Sequence, residues 1–384
     1  MKGTRVLLSL TCCAAAATAH AQSSVTLYGI IDEGFFYTSN QGGSNAYQMQ
    51  SGTLSASRFG FKGREDLGGG YATIFALENG FNVNNGKLGQ GGRLFGRQSW
   101  VGIAAPAGNF TLGRQYDLAT DFIGPFESGY AWSGGPGTQP GDHNDFNGSF
   151  RLNNALKFVS ANFSGLRMGA TYSLGGVAGS PSTNSTWGVG VTYTGGQFAI
   201  AGTLSHINSP NTSVFDGTSS TVGTNVSGLS FSGFVSARTL QIAALGASFT
   251  FGGSTIGGTY SNTEFKGLGS GSGPNPQDYQ GTGVLNSFEL NYRYQFTPAL
   301  MAGTAFIYTR VNSAGGAPGA NYRQVNLGTD YLLSKRTDVY LFGYGQSASG
   351  TNSVGQQAVA QLAFTAASSN NRQIGVAAGL RHHF

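Results

Sequence analysis

Apolar and polar residues alternate with a period of two through much of the chain, most plainly at its C-terminal end. Over residues 374–384, Ile374, Val376, Ala378, Leu380 and Phe384 share one parity, while Gly375, Ala377, Gly379, Arg381 and His383 share the other with Gln373. A strand sends successive side chains to opposite faces. One face then suits lipid and the other water, the pattern of a transmembrane β-barrel wall. Residues 286–296 repeat it: Phe288, Leu290, Tyr292, Tyr294 and Phe296 alternate with Glu289, Asn291, Arg293 and Gln295. Residues 166–174, 186–193 and 198–204 read as strands of the same kind.

Short and long connections alternate between such segments. Tight-turn compositions fall at 66–70, 106–108, 161–165, 195–197, 252–254, 297–299 and 334–338. Between them lie eight longer polar connections, including roughly 116–148, 208–228, 266–284 and 349–370. Seven turns and eight loops join sixteen strands, an even number that leaves both ends on the periplasmic side. Sixteen strands of about ten residues occupy roughly 160 positions, and a barrel of that size encloses an aqueous channel. The expected fold is all-β, a 16-stranded antiparallel transmembrane β-barrel. Alternation fails in two places. Arg97 shares parity with Val101 and Ile103, and neither parity is consistently polar over 241–249, as expected of a strand at a subunit contact or beneath a folded-in loop.

The N-terminus supplies an export signal. Lys2 and Arg5 precede an apolar run from Val6 to about Ala17 and then Ala19-His20-Ala21, so residues 1–21 read as a cleaved signal peptide and 22–384 as the barrel. A retained membrane helix needs about 20 apolar residues, and this run is shorter. Both cysteines, Cys12 and Cys13, lie inside the signal, which leaves the mature chain without disulfide or thiol chemistry. Loss of Lys2 and Arg5 lowers the formal charge of +5 by two, and no Lys/Arg block marks a nucleic-acid partner. The 63 glycines sit within alternating segments, where small inward residues would leave the interior open.

Six motifs carry a resemblance over nearly the whole mature chain: Ser24-Val-Thr-Leu-Tyr-Gly29 with Asp32, the run from Ser57 to Gly70, Phe95-Gly-Arg-Gln98, Thr111-Leu-Gly-Arg-Gln115, the run from Gly328 to Thr337, and Gly379-Leu-Arg-His-His-Phe384. In this order they resemble the general porins of Burkholderia, Neisseria and related β-proteobacteria. The resemblance implies a homotrimer of sixteen-stranded barrels amid outer-membrane lipids and lipopolysaccharide, with the third external loop folded into the lumen. It also implies a passive path for small hydrophilic solutes.

That loop corresponds to about Tyr116–Gly148 and contains Asp117, Asp121, Glu127, Asp142 and Asp145. Anion-selective members carry wall arginines opposite it. The matching positions are Arg58, Arg97 and Arg151, with Arg114 a fourth candidate. Parity supports Arg58, grouped with Lys62 and Arg64 against Phe59 and Phe61, and Arg151, grouped with Asn153 and Lys157. Arg97 rests on the resemblance. Cations on one wall and carboxylates on the other would focus a field across the narrow channel, and a cation excess would favour anions. The last strand also resembles the signal read by the outer-membrane assembly machinery, through Phe384 and Leu380.

Other chemistries find little footing. His143, His206, His382 and His383 have no recognisable nucleophile and orienting acid, so no catalytic residues are assigned. Asp142-His143-Asn144-Asp145 lacks calcium-loop spacing and reads as a solvated acidic loop, so no metal or other cofactor is expected. The runner-up is a channel specific for a carboxylate or sugar class, to which Tyr28 and Tyr116 could contribute.

Overall fold

The computed structural model describes residues 24–214, 228–312, 314 and 319–384. The expected signal peptide lies outside them. Seventeen strand segments form one antiparallel sheet: β1 (Ser24–Gln41), β2 (Ser44–Ser51), β3 (Arg58–Gly68), β4 (Tyr71–Gly80), β5 (Gln98–Ala105), β6 (Gly108–Gln115), β7 (Leu152–Ser160), β8 (Leu166–Ser173), β9 (Thr186–Gly195), β10 (Phe198–Asn208), β11 (Thr239–Phe251), β12 (Ser254–Leu268), β13 (Gly281–Gln295), β14 (Leu300–Asn312), β15 (Ala320–Leu332), β16 (Thr337–Gly350) and β17 (Arg372–His383). They fill sixteen wall positions because β2 and β3 share one. β1 pairs with β3 over Ser24–Ile30 and with β2 from Glu33 onward, and residues 52–57 interrupt the wall between them. Pairing of β1 with β17 closes the barrel, as expected.

All seven short turns fall where the composition placed them. The first long loop does not exist as such: β1 and β2 meet across Gly42 and Gly43 alone, at φ of 60° and 106°. Left-handed backbone at both central residues is what a type I′ two-residue hairpin requires, and glycine adopts it without steric cost.

Outward rows follow the alternation. Phe288 and Leu290 on β13 are about half exposed while Glu289 between them is fully covered, and on β17 Ile374, Val376 and Leu380 are exposed against covered Gln373 and Ala377. The seam closes at the last residue. Gly29 and Phe384 exchange both backbone hydrogen bonds at 3.1 Å, and the Phe384 ring lies where a Cβ on Gly29 would sit, 2.3 Å from its Cζ. Gly29→Val is therefore expected to overpack the closing rung by about 1–3 kcal/mol. The check is the fraction of unboiled protein that migrates as folded barrel; a wild-type fraction would show that both the ring and the Arg58 carbonyl, 2.6 Å from the same position, give way freely.

The interior is not uniformly open. Glycines on the face opposite the exposed apolar rows seat aromatic rings from the connecting segments: a Cβ on Gly246 would meet Phe126 at 2.6 Å, one on Gly283 would meet Phe234 at 2.8 Å, and one on Gly303 would meet Trp132 at 3.0 Å. The same packing explains the irregular strand. On β11, Leu240, Ile242 and Ala244 face inward and are buried; Leu240 and Ile242 lie with Phe231, Phe234 and Val235, and Ala244 lies with Phe122 and Phe126, so both faces are apolar.

Candidate functional site

Residues 116–151 connect β6 to β7 and pack against the face of the wall opposite the exposed apolar rows. Ser128 N donates to Glu289 Oε1 at 2.6 Å, and Asn291 Nδ2 to the Phe126 carbonyl at 2.8 Å. Asn326 Nδ2 donates to the Gly137 carbonyl at 2.8 Å, and Gln139 Nε2 to Thr259 Oγ1 at 3.2 Å. On its other flank the segment meets residues 52–57, where Gly135 N donates to the Thr53 carbonyl at 2.9 Å.

Three of the expected arginines converge here. Arg97 Nε meets Glu78 Oε1 at 2.8 Å and its Nη2 donates to the Tyr116 hydroxyl at 2.6 Å. Arg151 donates to the same hydroxyl at 2.9 Å, its Cζ 4.6 Å from the Tyr116 ring centroid. Arg58 lies 3.9 Å from Glu78 Oε2, and the Tyr28 hydroxyl donates to that oxygen at 3.0 Å. Arg97 and Arg151 are almost fully buried, whereas the Arg58 side chain keeps 25% of its surface and makes no hydrogen bond among the described residues. Arg114 stands apart, donating to the Gly96 carbonyl at 2.8 Å and to Asn153.

Arg97 reaches this face despite its parity because it precedes the strand. β5 begins at Gln98, so the alternation counted back from Val101 does not extend to Arg97. Glu78 went unread in the sequence. Its signal was present, since it shares parity on β4 with covered Ala72 and Ala76, a charge on the inward row.

The acidic residues depart from expectation. Asp121 is exposed and pairs with Lys157, which also donates to the Tyr116 carbonyl at 2.9 Å. Asp117, Glu127, Asp142 and Asp145 are buried and line none of the cavities described below. Their carboxylates satisfy the segment's own backbone: Asp117 accepts from Thr120 N at 2.9 Å, Asp142 from Asn147 N and Ser149 N at 3.1 and 3.0 Å, Asp145 from Phe150 N at 2.8 Å, and Glu127 from Gln139 N at 3.2 Å. Short irregular turns leave such N–H groups without partners, and a nearby carboxylate is the strongest acceptor available. His143 is likewise no solvated loop residue. Its Nε2 lies 3.1 Å from Ser287 Oγ and its Nδ1 3.3 Å from the Pro140 carbonyl, both side chains buried away from the cavities.

Burial pushes the Asp117 and Asp142 carboxyls up to about 6 and holds Glu127 and Asp145 well above the usual carboxylate range, Glu127 with added repulsion from Glu289. Burial lowers His143 to about 4. A raised carboxyl keeps in the fold a proton that the unfolded chain has released, so this packing is fully supported below about 4 and loses support as pH rises through about 6. His143 acts in the opposite sense between about 6.5 and 4, one group against four. The folded barrel is expected to denature at higher temperature near about pH 5 than about pH 7.5, and Asp145→Asn should narrow the difference. Equal melting at both values would contradict this balance.

Three cavities adjoin one another through shared lining residues. One of about 390 Å³ is bordered by Arg114, Phe150, Arg151, Phe231, Tyr322 and Phe364. A second, also about 390 Å³, is lined by Arg58, Glu78, Arg97, Tyr116, Tyr130 and again Phe364. The third, about 330 Å³, shares Gln98, Asp121 and Tyr130 with the second and adds Trp100, Lys157 and Arg167. Phe364 is common to the first two, and the second and third are neighbours through their shared lining.

Known proteins match this architecture. A family profile described as Gram-negative porin matches residues 8–353. An outer membrane porin protein of Bordetella pertussis is 30% identical over 85% of this chain and 90% of its own length. Outer membrane porin protein 32 of Delftia acidovorans is 29% identical over 98% of this chain and 99% of its own. Among solved structures, an anion-selective porin from Comamonas acidovorans superposes with a TM-score of 0.71 at 23% identity, covering 94% of this chain and 100% of that one. The trimer form of OmpT from Vibrio cholerae gives 0.65 at 16% identity over 94% and 99%. With its barrel, its inward charges and relatives of this kind, the chain belongs to the Gram-negative porin family, the channel-forming proteins of the outer membrane.

Proposed function

We propose that this porin is a general diffusion channel with modest anion preference, that residues 116–151 fold into the lumen to narrow it, and that the mature protein is a homotrimer freed of residues 1–21. The observation that carries the anion preference is the asymmetry of the site. Arg58 presents a guanidinium without hydrogen bonds to the second cavity, while four of the five carboxylates on the facing segment are buried. A cation excess over water in a narrow passage with low-dielectric walls raises the local concentration of anions. The trimer rests on likeness to the OmpT trimer form, and the anion preference gains support from the Comamonas relative. No catalytic role is proposed, since the buried Ser287–His143 pair borders none of the three cavities.

The test is the reversal potential of the purified protein in a planar bilayer under a KCl gradient. A potential on the chloride side is expected. One on the potassium side would overturn the preference, and absence of conductance would overturn the channel.

A further inference from the structure

We infer that the constriction holds a binding subsite for aromatic carboxylates, formed by Arg58 with the rings of Phe364 and Tyr130; the inference rests on the open, anion-preferring channel proposed above. Phe364 belongs to the segment between β16 and β17. There Leu362 is buried, its N donates to Gln373 Oε1 at 2.8 Å, and Thr365 Oγ1 returns to the Leu362 carbonyl at 2.7 Å, closing a turn over 362–365. Phe364 occupies the third position of that turn with φ of 67°. Left-handed backbone is costly for a bulky residue and is ordinarily given to glycine. The ring gains little packing in return: Phe364 is 51% exposed, borders both the first cavity and the second, which is the constriction, and lies against Gly135. A strained backbone that holds an apolar ring in an aqueous passage is the mark of a contact surface.

Tyr130 lines the same constriction and is 47% exposed. Arg58 supplies, in the same space of about 390 Å³, a guanidinium free for a bidentate carboxylate. A small inorganic anion or acetate would use only Arg58. A single-ring acid uses all three groups, its carboxylate on the guanidinium and its ring on the aromatic faces. The constriction volume lies within the range of small-molecule sites.

The experiment measures how benzoate and acetate, added to KCl, reduce single-channel conductance, each channel normalised to its own value in KCl. Wild type is expected to be half-blocked by benzoate at a concentration about tenfold below that of acetate. Phe364→Gly suits the turn and removes the ring, and should shrink that ratio about fivefold. Phe364→Tyr should restore it, and Arg58→Gln should weaken block by both acids. A wild-type channel that is anion-preferring but blocked equally by the two acids would overturn the subsite alone, as would an unchanged ratio in Phe364→Gly. Cation preference in KCl without either acid would instead overturn the reading beneath it.

Discussion

Arg58→Glu is expected to carry the KCl reversal potential from the chloride side to the potassium side. The three converging arginines are not equivalent, and their bonding says which one governs ion choice. Arg97 is locked between Glu78 and Tyr116, and Arg151 is held against the Tyr116 ring, both nearly buried. Arg58 is the member that keeps surface in the constriction, and its only partner among the described residues is the long contact to Glu78. Glutamate there changes the local charge by two and adds a carboxylate beside Glu78. Glu78 stays paired with Arg97 and Asp121 with Lys157, so the new carboxylate would be the charge left to set the local field. Removing Arg97 would not isolate the same effect. It strands Glu78 in a poorly solvated place, at a cost of about 3–5 kcal/mol, and would read first as lost folded protein. A folded Arg58→Glu channel with the wild-type potential would show that selectivity is set elsewhere in the lumen.

The wall could be read from sequence because lipid enforces it. An outward face in hydrocarbon tolerates few polar residues and an open edge is forbidden, so alternation and turn chemistry recur until the cylinder closes. The inner face answers to no such rule. Where a segment's backbone needs partners the residues are polar, as at Gln373; where a segment's apolar side chains pack on it they are apolar, as at Leu240 and Ile242; where a ring needs room they are glycine, as at Gly246. Composition also could not say which way a loop carboxylate turns. Asp117 with Thr120, and Asp142 with Asn147 and Ser149, hold local acceptor–donor spacings that mark backbone caps, and those spacings outweighed the attraction of a facing arginine. Arg97 escaped parity because it lies just outside β5, one residue before Gln98. The break at 52–57 left no local trace because its cause lies far along the chain, at Asp32 of β1 and Tyr340 of β16.

Asp32→Ala is expected to widen the channel, giving a higher single-channel conductance and a less stable barrel. Asp32 is completely buried on β1. Its Oδ2 accepts from Leu54 N at 2.9 Å and from Ser55 N, and its Oδ1 from the Tyr340 hydroxyl at 2.7 Å. Its backbone N and carbonyl both bond Ser57 Oγ at 3.0 Å, and the carbonyl also accepts from Gly52 N at 2.8 Å. One residue thus gathers the whole interruption between β2 and β3 and holds it on the inner side of the wall. That interruption in turn holds the 116–151 segment. Thr53 accepts from Gly135 N, a Cβ on Gly134 would strike the Thr53 carbonyl at 2.2 Å, and Leu54 packs with Trp132. Alanine leaves two backbone N–H groups and a tyrosine hydroxyl without their acceptor, at about 1–3 kcal/mol for each group that water does not reach. Water in the lumen can solvate the N–H groups if residues 52–57 move toward it, and that movement takes Thr53 away from Gly135. Asp32→Asn retains one acceptor oxygen and the shape of the side chain, so its conductance should lie between those of wild type and Asp32→Ala. A folded Asp32→Ala barrel with unaltered conductance would mean that the segment is held by its other contacts alone, through Glu289, Asn291 and Asn326.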